Sequence, residues 1–495
     1  MSANSHPVAL PPLPQQDALF IGGEWSRSAS GGQIVVSSPA TEQEVGRVAS
    51  ASCEDVDRAV HMARQAFDHG PWPRMSVAER VAKLRALAAK VRDHADEFAL
   101  AWTLQVGVPY ADAVYMANAY ASFIETPAEL AERHGFEELR QPPLPEVCMI
   151  VREPVGVVAA IVPWNAPMLT LLVKVAPALA AGCTVIAKPS PETPYEALLL
   201  AQCIAEIGLP EGVFSVLPAD RDVSEHLVSH PDVDKVSFTG STAAGLKIAA
   251  ICGARMARVT TELGGKSAAV VLADAKIETV VAGIMPNLVG LAGQQCAAFS
   301  RILVPGNRRA EVTDAIAAAM RAVRVGDPFD PATTMGPLVA RRQLDRVCGL
   351  IAGAHRDGAR LVTGGGRPPG LDRGHFIEPT LFTDVDNGME IARQEIFGPV
   401  GSIIAYDSEE EAIAIANDSH YGLSGAVFTE DVDRAYRFAR RIRVGNFTQN
   451  KRIVDFSMPY GGFKQSGIGR EGGLEGLYGF TEIKAVFLPE KPSLQ

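Results

Sequence analysis

From residue 155 onward the chain alternates short runs rich in Val, Ile or Phe with longer stretches of helical spacing, joined at Gly, Pro or Asn. Few folds accommodate that pattern. A run that is apolar at every position reads as a strand buried on both faces, and such strands are usually parallel strands covered by crossover helices. The strand candidates are residues 155–162, 184–187, 213–217, 235–239 and 268–272, with helices between them such as 196–207 and 243–251. A second series follows Cys296, with strands near 301–304, 402–406 and 425–428 and helices near 309–323, 409–416 and 432–442. Upstream, apolar spacing predicts helices over 55–67 and 77–100, parted by Pro71 and Pro73. The fold class is α/β, built from βαβ units; strand order is not contained in the pattern. With 495 residues, more than a single core usually serves, two or more domains sharing one cleft are expected.

Composition narrows the partners. A formal net charge of −11, a pI near 5.5 and the lack of a long Lys/Arg run disfavour nucleic acid. The seven cysteines (Cys53, Cys148, Cys183, Cys203, Cys252, Cys296 and Cys348) are odd in number and lack C-x-x-C spacing. That argues against a disulfide framework and a zinc site, so no metal is expected and the compartment is expected to be the cytoplasm. The Pro-, Ser- and Gln-rich start lacks a basic and apolar leader and reads as a loose arm over residues 1–17. Apolar runs such as 155–162 fall far short of the roughly 20 residues that span a bilayer, so no membrane anchor is expected.

Five short motifs carry possible chemistry, and each has a plainer reading. Phe238-Thr239-Gly240-Ser241-Thr242, with Gly245 one turn on, ends a strand and opens a helix where backbone N–H groups could hold a phosphate; it lacks the G-x-G-x-x-G spacing and could equally be an ordinary turn. Lys188, ending an apolar strand, could reach a ribose or phosphate oxygen or stand in solvent. Asn165, in Pro163-Trp164-Asn165-Ala166-Pro167, could donate to a developing oxyanion or cap the next helix. Glu262, before Gly264-Gly265, could be a base raised by partial burial or a surface carboxylate. Cys296, in Gly293-Gln294-Gln295-Cys296-Ala297-Ala298, has small neighbours that leave room for a substrate beside a thiolate, whereas the other six cysteines fit a buried structural role better.

Taken in order, these motifs together with Glu395-Ile396-Phe397-Gly398-Pro399 and Pro459-Tyr460-Gly461-Gly462-Phe463-Lys464 resemble the aldehyde dehydrogenase superfamily, over roughly residues 18–486. The resemblance implies a Rossmann-type cofactor domain (18–130 and 148–263), an α/β catalytic domain (264–477) and a small β oligomerisation extension (131–147 and 478–495). It implies oxidation of an aldehyde to a carboxylic acid with NAD, NADP remaining open. Cys296 is then the nucleophile, Asn165 and the Cys296 N–H the oxyanion donors, Glu262 the base that activates water, and Lys174 and Glu471 assist proton movement. Trp164, Lys188, Ser190, Gly240, Ser241, Gly245, Leu263, Glu395 and Phe397 match cofactor contacts, and Ala166, Val173, Gln295, Val454 and Tyr460 match the substrate tunnel.

Ala166 and Val173 are smaller than the aromatics many relatives carry, which implies a wide, mostly apolar tunnel for a bulky aromatic or branched aldehyde. One departure concerns the cofactor: many NAD-preferring members carry a Glu three residues after the Lys, where this chain has Pro191 with Glu192 one position on. The resemblance also implies a homodimer or homotetramer, with Arg258, Arg470 and Glu482 as structural salt bridges near the interface. The competing functions are a coenzyme A-acylating dehydrogenase, a thioesterase without a nicotinamide site, and a silent member of the fold. The presence of Glu262 favours hydrolysis over acyl transfer to a thiol.

Overall fold

The computed structural model describes residues 16–493. The arm expected over residues 1–17 therefore lies outside the described residues except for Gln16, which bridges to Val48, and Asp17.

Two large sheets dominate the fold. In the first, the strands run in the spatial order Gly467–Ile468, Arg258–Glu262, Lys235–Thr239, Val157–Ile161, Thr184–Lys188, Phe214–Val216, Ala18–Ile21 and Glu24–Arg27. The five from Arg258–Glu262 to Phe214–Val216 are mutually parallel, and antiparallel strands close the two edges. Val157–Ile161 and Thr184–Lys188 are buried at every residue, as runs rich in Val, Ile and Ala predict. The chain moves outward from Val157–Ile161 in one direction, then returns to lay Lys235–Thr239 on its other side. That reversal opens a crevice at the C-terminal ends of these two strands, where doubly wound sheets bind ligands.

The second sheet orders Arg360–Thr363, Thr380–Thr383, Val400–Tyr406, Arg301–Pro305, Ala268–Val271, Ser424–Phe428 and Asn446–Gln449, parallel except at the first pair. The chain enters it directly from Glu262, so the C-terminal edge of one sheet faces the N-terminal edge of the other. Arg301 is buried at the start of its strand. Its guanidinium is satisfied by Lys266 O, Asn387 Oδ1 and the carbonyls of Ile415 and Ala416. Thr481–Leu488, Val147–Pro154 and Glu137–Arg140 form a separate three-stranded antiparallel sheet.

Several expectations need correction. The single helix expected over 77–100 is two, Val77–Asp93 and Ala95–Val106. His94 closes the first and opens the second, its Nδ1 2.7 Å from Glu97 Oε1, and no Gly or Pro marks the break. Residues 131–134, expected in a strand extension, complete the helix Ser122–His134, where Ala131 is fully buried in the core. The strand Arg258–Glu262 escapes apolar pattern reading because its buried half is polar. Thr260 accepts from Lys235 Nζ at 2.7 Å and Thr261 Oγ1 from the Ile468 N–H at 3.0 Å, so burial leaves neither hydroxyl unpaired. Arg258 does pair with Glu482 at 2.5 Å, but Arg470 donates to the carbonyls of Gly462 and Gly469 instead.

Candidate active site

The crevice gathers the ends of four parallel strands. Trp164 and Asn165 follow the first, Lys188 ends the second, Gly240 and Ser241 follow the third, and Glu262 ends the fourth. The Cys296 turn comes from the opposite sheet, just before Arg301–Pro305. Gly265 is what lets the two meet: a Cβ there would stand 2.4 Å from the carbonyl oxygen of Cys296. Gly265→Ala is therefore expected to push the Cys296 turn out of place and lower kcat by about ten- to a hundredfold. Steady-state kinetics with the variant checks this, and an unchanged kcat would show that the turn has slack.

Cys296 is half-buried, with Sγ 4.0 Å from Tyr460 Oη. Burial, ahead of any charge, pushes its thiol up to about 11; Arg452 opposes that, while Glu395 and Glu262 add to it. Among the described residues nothing accepts from the Cys296 N–H. Asn165 is buried beside the turn, its Nδ2 donating to Gln294 O at 2.8 Å and its carbonyl accepting from Trp102 Nε1 at 3.0 Å. It does not cap the following helix, whose N-cap is Ala166.

Glu262 is not a surface carboxylate: it is 4% exposed, and neither of its oxygens has a hydrogen-bond partner among the described residues. Desolvation holds its carboxyl well above 4.5, and Glu471 adds to the rise while Lys174 and Arg470 oppose it. Lys174 and Glu471 form a fully enclosed ion pair, with Lys174 Nζ also donating to Thr239 Oγ1 at 2.7 Å. Ser237 Oγ donates to the same Glu471 oxygen at 3.4 Å. The five residues expected to carry the chemistry are thus brought to one crevice.

The cofactor candidates line its outer part. Ser241 caps the helix Thr242–Ala254, accepting from the Ala244 N–H, so the first turn of that helix faces the crevice. Gly245 makes room for Leu263, whose Cδ2 would lie 2.4 Å from any Cβ at that position. The Trp164 and Phe397 rings meet edge to face with centroids 5.2 Å apart, and Phe397 holds a φ of 58°. Glu395 Oε1 accepts from the Gly265 N–H at 3.2 Å, and burial raises its carboxyl to about 7. Lys188 is buried, its Nζ reaching only Ala219 O at 3.5 Å; desolvation lowers it to about 8, which leaves donor capacity for a bound oxygen-rich group. Ser190 Oγ donates to Glu192, whose other oxygen pairs with Arg342 at 2.5 Å. The carboxylate missing at position 191 is thus present one residue on, clamped from two sides.

A cavity of about 150 Å³ has Val173 and Val454 in its wall. Ala166, Gln295 and Tyr460 are not in that wall. Tyr460 packs at a tilt against Phe456, which is, with centroids 4.9 Å apart, and Phe456 meets Phe123 at 6.1 Å. Sequence reading missed Phe123, Asp455, Phe456 and, above all, Arg452. Phe123, Thr126 and Leu130 share one face of a helix and could have been found by their spacing; Asp455, Phe456 and Arg452 lie in a loop with no local signal. The structural role expected for the other six cysteines holds for four; Cys53 and Cys348 are exposed.

Comparisons with known proteins agree with this fold. A model of the aldehyde dehydrogenase family matches residues 25–486. A geranial dehydrogenase of Castellaniella defragrans is 44% identical over 95% of this chain and 98% of its own length. A 3-succinoylsemialdehyde-pyridine dehydrogenase of a Pseudomonas species is 42% identical over 94% of this chain and 97% of its own. The crystal structure of a Mycobacterium tuberculosis aldehyde dehydrogenase complexed with NAD+ superimposes with a TM-score of 0.95 at 44% identity, over 97% of this chain and 99% of that one. Ordered motifs, two facing sheets and a cysteine beside a desolvated glutamate, with a family match over nearly the whole length, lead to one conclusion: this chain belongs to the aldehyde dehydrogenase family, oxidoreductases that act on aldehydes with a nicotinamide cofactor.

Proposed function

We propose that this enzyme hydrolyses its acyl intermediate to a free acid, with Cys296 as nucleophile and Glu262 as base, and that it prefers a bulky aromatic or branched aldehyde and NAD. The observation that carries the hydrolytic reading is Glu262 itself, a buried carboxylate with both oxygens unpaired beside the Cys296 turn. In this reading Cys296 Sγ attacks the aldehyde carbon, and the resulting oxyanion is met by the unengaged Cys296 N–H and the Asn165 amide. The bound nicotinamide supplies the hydride acceptor. Once the thioester has formed, Glu262 takes a proton from water, the hydroxide attacks the acyl carbon, and the C–S bond breaks with the electron pair returning to sulfur. In the same reading the Lys174–Glu471 pair, tied to Thr239 and Ser237, passes the proton on from Glu262.

The residues present fit the cofactor: a capped helix start at Ser241, the hydrogen-bonding capacity of Lys188, the Trp164–Phe397 edge and Glu395 on the Gly265 N–H would hold its phosphates, ribose hydroxyls and ring. Glu192, held charged by the Ser190 hydroxyl and Arg342 against the opposing effect of burial, supports NAD over a cofactor with a 2′-phosphate. The division into a cofactor domain (18–130 and 148–263), a catalytic domain (264–477) and an extension (131–147 and 478–495) is supported by the two sheets and the small third one, with the helix and strand ends noted above. Exposed Ile483 and Phe487 on the extension, with Leu139 and Leu144 nearby, support a homodimer or homotetramer. Seven free cysteines support the cytoplasm as compartment, and among the described residues no helix is long and apolar enough to cross a membrane.

The apolar wall of Phe123, Leu130, Val173, Val454, Phe456 and Leu477 supports the substrate class, as do relatives named for geranial and for a pyridine-bearing semialdehyde. The test is absorbance at the reduced-nicotinamide band with NAD or NADP against short aliphatic, branched and aromatic aldehydes. Wild type is expected to favour branched or aromatic substrates, and Val173→Phe to cut kcat/KM for these about tenfold or more while sparing acetaldehyde. A wild-type preference for acetaldehyde would overturn the substrate class, and silence across the panel would favour a member that kept the fold without the activity.

A further inference from the structure

Two carboxylates near the Cys296 turn oppose its ionisation, while Arg452 and the Tyr460 hydroxyl favour it. Glu262 comes from the first sheet and Glu395 from the loop before Val400–Tyr406; Tyr460 offers only a neutral hydroxyl. Of the groups that act most strongly on the thiol, Arg452 alone is positive, and it is the largest influence after burial. Its place is set by a braced loop. After the strand Asn446–Gln449 the chain turns at Asn450, with φ 61°, and the Asn450 amide bonds both the N–H and the carbonyl of Thr429. Thr448 Oγ1 then donates to Lys451 O at 2.5 Å.

From there Arg452 Nη1 donates to Gln295 Oε1 at 2.5 Å. Gln295 is buried, adjoins Cys296 in sequence, and is held from its other end by donation to Gly290 O at 2.7 Å. Among the described residues no carboxylate pairs with Arg452, and its Nε is buried without a hydrogen-bond partner. Exposed arginines elsewhere in this chain, such as Arg85 and Arg441, do find carboxylates. A guanidinium N–H buried without a partner, as Arg452 Nε–H is, is costly unless a negative charge forms beside it. The reaction forms such a charge at Cys296.

Resting on the assignment of Cys296 as nucleophile, we propose that Arg452 is a positioning residue for the reaction: locked to Gln295, its guanidinium stabilises the Cys296 thiolate, with Nε–H left as the free donor. The thiol proton leaves to water, and no other bond changes at this step. Arg452 thereby offsets the two nearby carboxylates that the cofactor and the hydrolytic step require.

The test is peptide-resolved alkylation of the full-length enzyme by iodoacetamide as a function of pH, with exposed Cys53 as internal control. In Arg452→Met, and in Arg452→Gln should the Met variant fold poorly, the Cys296 alkylation rate at pH 8 is expected to fall about tenfold, the profile moving up by about one pH unit. Arg452→Lys should recover most of that loss, and Cys53 should be unaffected in all variants. A Cys296 profile in the neutral variants that overlays wild type overturns the proposal. So does a Lys variant, folded by circular dichroism, that behaves like the neutral ones, since shape rather than charge would then be at work. Alkylation needs neither aldehyde nor nicotinamide, so failure of the substrate panel and failure of this inference read out separately.

Discussion

Cys296→Ala is expected to lose nicotinamide-dependent aldehyde oxidation by about four orders of magnitude or more, on the order of 5.5 kcal/mol of transition-state stabilisation. The size follows from the proposed role of the side chain as nucleophile. Without sulfur no covalent adduct forms, and neither the Asn165 amide nor the Cys296 N–H has an oxyanion to hold. Because Cys296 sits in a turn opened by Gly265 rather than in a packed layer, the variant should fold and still bind the cofactor. Turnover is followed at the reduced-nicotinamide band, with cofactor binding checked by fluorescence quenching. Turnover within tenfold of wild type, in a preparation free of wild-type enzyme, would remove Cys296 from the mechanism.

Glu262→Gln is expected to separate the two halves of the reaction. The first half needs no base at this position, so a burst of reduced cofactor equal to the enzyme concentration should appear. Deacylation should then run about a hundred- to a thousandfold slower, with acyl-enzyme visible by intact mass. A normal steady-state rate would contradict the role. The pH dependence has a definite sign. Only the ionised carboxylate can take a proton from water, and desolvation holds the Glu262 pKa well above 4.5, so the wild-type deacylation rate should climb through that raised value and the variant should lack the limb.

Stability should move the other way. A carboxyl whose pKa is raised by folding favours the native state below about 4.5, and that contribution is lost as pH rises through the raised value. Glu262→Gln, with no charge to bury, should therefore melt above wild type at neutral and alkaline pH, the gap closing toward acid. A variant that is more stable and less active is what a site built for function rather than rigidity gives.

The fit between sequence and structure is uneven in an instructive way. Lys235–Thr239 was legible to the residue because a short run rich in Val and Phe is a local property of the chain. Arg258–Glu262, its parallel neighbour, was not, because its polar half is buried only by virtue of partners on Lys235 and the strand Gly467–Ile468. The same contrast runs through the site. Asn165, Lys188 and Gly240 stand at strand ends that the apolar pattern marks. Phe456 and Arg452 sit in a loop whose composition says nothing of where it goes, and Arg452 meets Gln295 across 157 residues of chain. The displaced carboxylate is a case of a different kind: the sequence shows that position 191 lacks it, and only the fold shows Glu192 held by Ser190 and Arg342.

By itself, then, the sequence determined the layered α/β class, the candidate site residues and, through seven ordered motifs, the family, because periodicity and short motifs are set by neighbours along the chain. Tertiary structure alone decided the strand order that opens the crevice, the approach of the Cys296 turn to the first sheet through Gly265, the lack of a hydrogen-bond partner for Glu262 among the described residues, and the docking of Arg452 on Gln295 next to Cys296. These are matters of distance and desolvation between segments remote in sequence. Burial, and with it the energy of a charge, exists only once those segments have packed against one another.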